Sequence, residues 1–199
     1  MKHLLYNLLK KIKNEEIRNF TKEVLDHAPK QFWSAPSSSS GKHHPPEDNG
    51  KGGLVTHTIK ATLIAEDICR YFNLPDIETD EVISATMLHD IQKNGIPWGD
   101  HTVDNHGLVA SKWLEIFDYP KSFYKDFMPC PIVDCVRFHM GRFADQPEDK
   151  MGSTSPSMQE IIVQMSDFVA SREYASWLPN IPVKEEDILR FRKRKFLVK

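Results

Sequence analysis

The chain predicts an all-α fold. Apolar residues recur at three- and four-residue steps along most of its length, and no segment shows sustained strand alternation bounded by hairpin turns. A third observation concerns chemistry: histidines and aspartates fall repeatedly on the apolar stripes of separate helices. The 199 residues are 40% hydrophobic and 27% charged, an ordinary soluble composition for one domain. A net charge of −2 gives no support to a nucleic-acid partner or a membrane surface. Three cysteines, Cys69, Cys130 and Cys135, form no CxxC pair and suit a reducing cytoplasm. No apolar run approaches the roughly 18 residues of a membrane span. No leader with an apolar core and cleavage site is readable, nor any internal repeat.

Leu4, Leu5, Leu8, Leu9 and Ile12 mark a first helix, and Ile17, Phe20, Val24 and Ala28 a second. These helices (1–28) are too small to bury a core alone and are expected to pack onto the rest. Pro29 to Gly53, with Pro36, Pro45, Pro46 and four consecutive serines, reads as a loop over the site. Leu54 to Phe72 is a largely apolar helix opening a core that extends to residue 172. Asn73 to Asp80 reads as a turn, with Thr79 as N-cap of a helix reaching about Lys93 and stopped by NGIPWGD. Asp104 or Asn105 caps a helix from His106 to about Phe117. The next starts at Pro129 or Pro131 and ends at Met140, with Gly141 as its stop. Ser157 and Glu160 form a capping box before IIVQMSDFVAS. A last helix, 184–199, ends in the basic RFRKRK, read as a solvated helix end.

His89 and Asp90 lie in the apolar ATMLHDIQK. A buried carboxylate costs several kcal/mol unless it is paired or bound to a metal. His57 shares a stripe with Ala61, Ile64 and Ile68; His139 with Ile132, Cys135 and Val136; His106 with Val109, Ala110 and Trp113; Asp167 with Val163 and Ala170. One such residue means little. Six on five helices are hard to satisfy except by converging on a common centre. Imidazole and carboxylate donors without thiolate suit Fe, Mn, Co, Ni or Zn. Six ligand groups exceed what a tetrahedral ion uses, which leaves room for one or two divalent transition-metal ions, with Asp90 as the natural bridge.

The order His57, His89-Asp90, Asp167 resembles the HD-domain metal-dependent phosphohydrolase superfamily over residues 43–172. GGLVTHT, LHDIQK, NHG, FHMGR and MSDFVAS sharpen the likeness. HHPPEDNGKGGLVTHT is similar to the HD domains of 3′–5′ exoribonucleases and to small stand-alone HD hydrolases. The resemblance implies a single HD domain over 1–199. It implies one metal on His57, His89, Asp90 and Asp167, and a second on His106 and His139 with Asp90 bridging. Met140 stands where some dinuclear relatives have a further histidine.

The implied reaction is hydrolysis of a phosphate mono- or diester, on a small, nucleotide-like substrate, by attack of metal-bound hydroxide. Asp90 and Lys93 are the candidate catalytic residues. Lys93, one turn after His89, is also placed to hold a phosphate oxygen at the site mouth. Arg142, His43 and His44 are further candidate substrate-binding residues, the two histidines also for protonating a leaving oxygen. His101 and Asp104 either orient a ligand or cap a helix. Glu66 and Asp67 are expected to face solvent, and Trp33, Trp98, Trp113 and Trp177 to line core or pocket. Two other readings share the fold: an HD-type di-iron oxygenase, which uses four His and two Asp, and a non-catalytic nucleotide or nucleic-acid sensor.

Overall fold

The computed structural model describes residues 1–38, 44–118, 130–141 and 156–172. Among these it is all-helical, with no strand. The helices are α1 (Lys2–Leu8), α2 (Glu15–Asp26), α3 (Gly53–Phe72), α4 (Asp76–Leu88), α5 (His106–Leu114), α6 (Pro131–Phe138) and α7 (Met158–Ala170). Short 3-10 turns follow α1 and interrupt the long connection, at Lys30–Trp33 and Pro46–Asp48. No helix among the described residues is long and apolar enough to cross a membrane.

The first two helices are welded to the rest by polar as well as apolar contacts. Asn14 caps α2 by accepting a hydrogen bond from the Ile17 amide at 3.0 Å, and Ile17, Phe20, Val24 and Leu25 form its buried stripe. Asp80 of α4 accepts from the backbone amides of Lys13 and Asn14 at 3.0 and 2.7 Å, satisfying donors a helix start leaves free. Thr21 and Ser84 share a buried hydroxyl hydrogen bond of 2.7 Å. Glu66, expected in solvent, is instead largely covered: Lys11 reaches it at 2.7 Å and ties the turn after α1 to α3. Asp67 is exposed as expected, 3.0 Å from Arg70.

α3 is the central element, packed against α1, α4 and α7, while α4 also meets α2, α6 and α7, and α5 lies on α6. Hence α3, α4, α6 and α7 enclose one core. Trp33, Trp98 and Trp113 pack at its edge; Trp177 and the helix expected over 184–199 lie outside the described residues.

Some boundaries differ from the periodicity. α4 begins at Asp76 behind Pro75, not at a Thr79 cap; Pro75 has the φ of −54° that suits a helix entrance, and Thr79 donates to the Leu74 carbonyl instead. The same helix stops at Leu88 rather than Lys93. The chain tightens into i→i−3 turns, with Ile91 on Leu88 and Lys93 on Asp90. His89-Asp90 therefore sits at the buried end of a helix, not inside it. α5 also stops short, at Leu114 rather than about Phe117. Elsewhere α3 opens at Gly53, α7 has the Ser157–Glu160 capping box, and Gly141 follows α6 at φ +53°.

Candidate metal centre

Asp90 is the hub. Its side chain is 1% exposed, and its two oxygens face different sets of imidazoles. Oδ2 lies 3.4 Å from His89 Nε2 and 3.8 Å from His57 Nε2. Asp167 joins this group from α7, its Oδ1 2.9 Å from His57 Nε2 and 3.6 Å from His89 Nε2. The two nitrogens are 3.4 Å apart. On the other side, Asp90 Oδ1 lies 3.1 Å from His106 Nε2 and 3.7 Å from His139 Nε2, which are themselves 3.1 Å apart. Five of the six side chains are buried; Asp167 keeps 22% exposure. All six residues expected to converge do so.

Helix ends explain how the imidazoles are aimed. His89 follows α4, His139 follows α6 and His106 opens α5, so the backbone near each has carbonyls not taken up by the helix. Each ring uses one: Nδ1 lies 2.7 Å from Thr86 O, 2.7 Å from Val136 O and 2.8 Å from Val103 O for His89, His139 and His106. A carbonyl only accepts, so Nδ1 carries the hydrogen and Nε2 is left to bind a proton or a cation. Gly107 permits α5 to lie close on α6: a Cβ there would fall 2.6 Å from Arg137 O and 3.2 Å from His139 Nδ1.

The donor set fits a metal. Bonds of about 2.1 Å place ligand atoms about 3.0 Å apart at right angles and about 3.4 Å apart in a tetrahedron. The separations above run from 2.9 to 3.8 Å. His106 and His139 turn Nε2 atoms toward each other at 3.1 Å, which only a positive charge between them reconciles. Asp90 Oδ1, completely buried, meets no hydrogen-bond donor. His57–His89–Asp90 and Asp90–His106–His139 are thus two adjoining clusters that could hold metal ions, with Asp90 in both.

The electrostatics favour cations. Burial opposes ionisation of Asp90, but Lys93 and His89 outweigh it and hold the carboxyl well below its ordinary range. Asp167 is likewise lowered against its burial, by hydrogen bonds from His57 and His89. For His89, burial again works against charge, yet Asp90 and Asp167 raise it to about 10. His57 and His139 are lowered, chiefly by burial.

Lys93 is 11% exposed and places Nζ 2.6 Å from Asp90 Oδ2, so its first partner is the central carboxylate. His44 packs edge-on against His57 with ring centroids 4.8 Å apart, and burial lowers its pKa to about 3. His101 and Asp104 are exposed, and His106 takes its orientation from the Val103 carbonyl instead. His43 and Arg142 lie outside the described residues.

Two residues beside the site carry no expectation from the sequence. Asp48 is fully buried in a segment read as loop, and Lys60 is 2% exposed on α3. Lys60 Nζ lies 2.5 Å from Asp48 Oδ2 and 3.7 Å from Glu47 Oε1. The available signal was a lysine within the apolar run 54–65, three residues after His57 and so on the same helical face.

No family model, no curated protein and no solved structure matches the chain.

Proposed function

We propose that this protein is a metal-dependent phosphohydrolase of the HD superfamily that cleaves a phosphate mono- or diester, nucleotide-like in character. The observation that carries the reading is the division of Asp90: one oxygen in a group with His57, His89 and Asp167, the other in a group with His106 and His139. The order of these residues in GGLVTHT, LHDIQK, NHG, FHMGR and MSDFVAS supplies the family and the substrate class by resemblance.

In this reading His57, His89, Asp90 and Asp167 would hold one divalent transition-metal ion, and His106, His139 and Asp90 would hold a second. Such ions polarise a phosphoryl oxygen and bring the pKa of water from 15.7 to about 7. The protein's own residues do the rest. The backbone carbonyls of Thr86, Val103 and Val136 hold three imidazoles in one tautomer and leave Nε2 facing inward. Lys93 spends one of its three hydrogens on Asp90 and has two for an arriving phosphate oxygen. His44 walls the site beside His57 as an uncharged ring.

The test is anaerobic hydrolysis of bis-p-nitrophenyl phosphate, p-nitrophenyl phosphate and a panel of linear and cyclic nucleotides. Chelator-stripped protein is reloaded with Mn, Co, Ni, Zn or Fe. The expected result is phosphate-ester cleavage with at least one metal, absent in Asp90→Asn. Oxygen-dependent turnover with iron would overturn it in favour of the oxygenase. Tight nucleotide binding without turnover over the whole panel would favour the sensor.

A further inference from the structure

Three of the four candidate ligand imidazoles take their orientation from a carbonyl three residues back. The fourth cannot. His57 is the fifth residue of a 20-residue helix, and the carbonyl three residues before it lies within the regular hydrogen-bond ladder. Its Nδ1 is buried and has no hydrogen-bond partner. A ring that offers Nε2 to a cation carries its hydrogen on Nδ1, and a buried N–H needs an acceptor.

The fold brings a carboxylate to that place. A nitrogen of His57, a nitrogen of His44 and an oxygen of Asp48 lie within 4.8 Å of one another. Asp48 Oδ1 is buried and meets no donor, while Oδ2 faces Lys60 at 2.5 Å. Lys60 is three residues after His57, so the carboxylate that meets Lys60 lies against the same helical face as the imidazole. The connection is built to keep Asp48 there. The Asp48 carbonyl accepts both the Ser37 amide and the Ser37 hydroxyl at 2.9 Å. The first residue of α3 is glycine, and any Cβ at Gly53 would fall 1.8 Å from that same carbonyl oxygen. A buried aspartate–lysine pair is a poor source of stability, because desolvating both charges offsets their attraction. Burying this one beside a metal-facing histidine has a use if the carboxylate acts on the ring.

We propose that Asp48 is the positioning residue of His57: its Oδ1 accepts the Nδ1 hydrogen when the ring presents Nε2 to a metal, and Lys60, paired with Oδ2, holds the carboxylate in place. This rests on the metal-centre reading above and adds to it an outer partner from a segment remote in sequence. A cation inside the His44–Asp48–His57 cluster is the rival, and the Lys60 ammonium at 2.5 Å already supplies the positive charge there.

The experiment uses the full chain with zinc as probe. Wild type, Asp48→Leu/Lys60→Met and Asp48→Asn/Lys60→Met are compared by zinc stoichiometry, zinc dissociation constant and ¹⁵N NMR of the His57 ring. Both charges are removed together so that neither is left buried alone, and circular dichroism verifies the fold. Wild type should show His57 hydrogen-bearing at Nδ1 in the zinc-loaded state. The Leu/Met variant should lose about 10–100-fold in affinity for one zinc equivalent, and the Asn/Met variant, whose amide oxygen still accepts, should regain part of it. Equal affinities in wild type and the folded Leu/Met variant overturn the proposal and leave the metal centre standing. Three zinc ions per wild-type chain, one lost in the variant, overturn it in favour of the rival. A wild-type chain that binds no zinc overturns both.

Discussion

Replacing Asp90 by asparagine in the metal-free protein measures how much charge the centre balances by itself. Without metal, the ionised carboxylates Asp90 and Asp167 face two cations, Lys93 and the protonated His89, whose pKa is raised to about 10. Asp90→Asn leaves a surplus positive charge where Lys93 had a partner at 2.6 Å. Breaking a buried pair by removing one member costs about 3–5 kcal/mol. Lys93 keeps 11% exposure and recovers some hydration, so the low end, about 3 kcal/mol, is expected. For a chain of this size that lowers Tm by about 6–12 °C. Asp90→Asn/Lys93→Met restores neutrality and should recover most of the loss, giving a coupling of about 2–3 kcal/mol in a double-mutant cycle. The assay is urea unfolding in excess chelator, with fluorescence and circular dichroism agreeing on one transition. Repeating it with metal at about 100 times its dissociation constant should add about 2.7 kcal/mol to wild type and nothing to Asp90→Asn. A single variant as stable as wild type, or a double variant no better than the single, would refute the reasoning.

Three other outcomes are expected. His89 is raised from 6.5 to about 10, so its contribution to metal-free stability is fully present below about pH 6.5 and is lost as pH rises through 10; chelated protein should weaken toward urea across that window, and a flat profile would contradict the ion cluster. Gly107→Ala would press a Cβ to 2.6 Å from Arg137 O and move His106 away from His139, at about 1–3 kcal/mol of stability. Calorimetric titration should then show one metal equivalent weakened and the other unchanged. Burial raises the thiols of Cys69 to about 12 and Cys130 to about 11, and that of Cys135 far above its ordinary value. None should react with a disulfide reagent at pH 8 in the native protein, and all three should react in urea.

Helical periodicity is local, and it was readable. Leu54–Phe72, Ser157–Glu160 and the stop at Gly141 follow from side-chain spacing, a capping box and a residue free to adopt positive φ. The six histidines and aspartates were readable too, because a polar group on an apolar stripe is a conflict that demands a partner. Which partner each one takes was not. That α4 stops at Leu88 depends on backbone turns whose carbonyls the following side chains then use, and Thr86 O serving His89 Nδ1 is an outcome of packing. Glu66 reads as a surface residue until Lys11 arrives from 55 positions away.

Side-chain spacing alone was enough to predict helices and to single out six side chains that cannot rest alone in a core. The packing of the helices sets that Asp90 divides its oxygens between two groups, that Lys93 turns to that carboxylate first, and that Asp48 of a proline-rich connection is buried on the face of α3 that carries His57 and Lys60. Periodicity reports which face of a helix is buried. The meeting of atoms from residues up to 110 positions apart, such as His57 and Asp167, is set by how those faces close on one another.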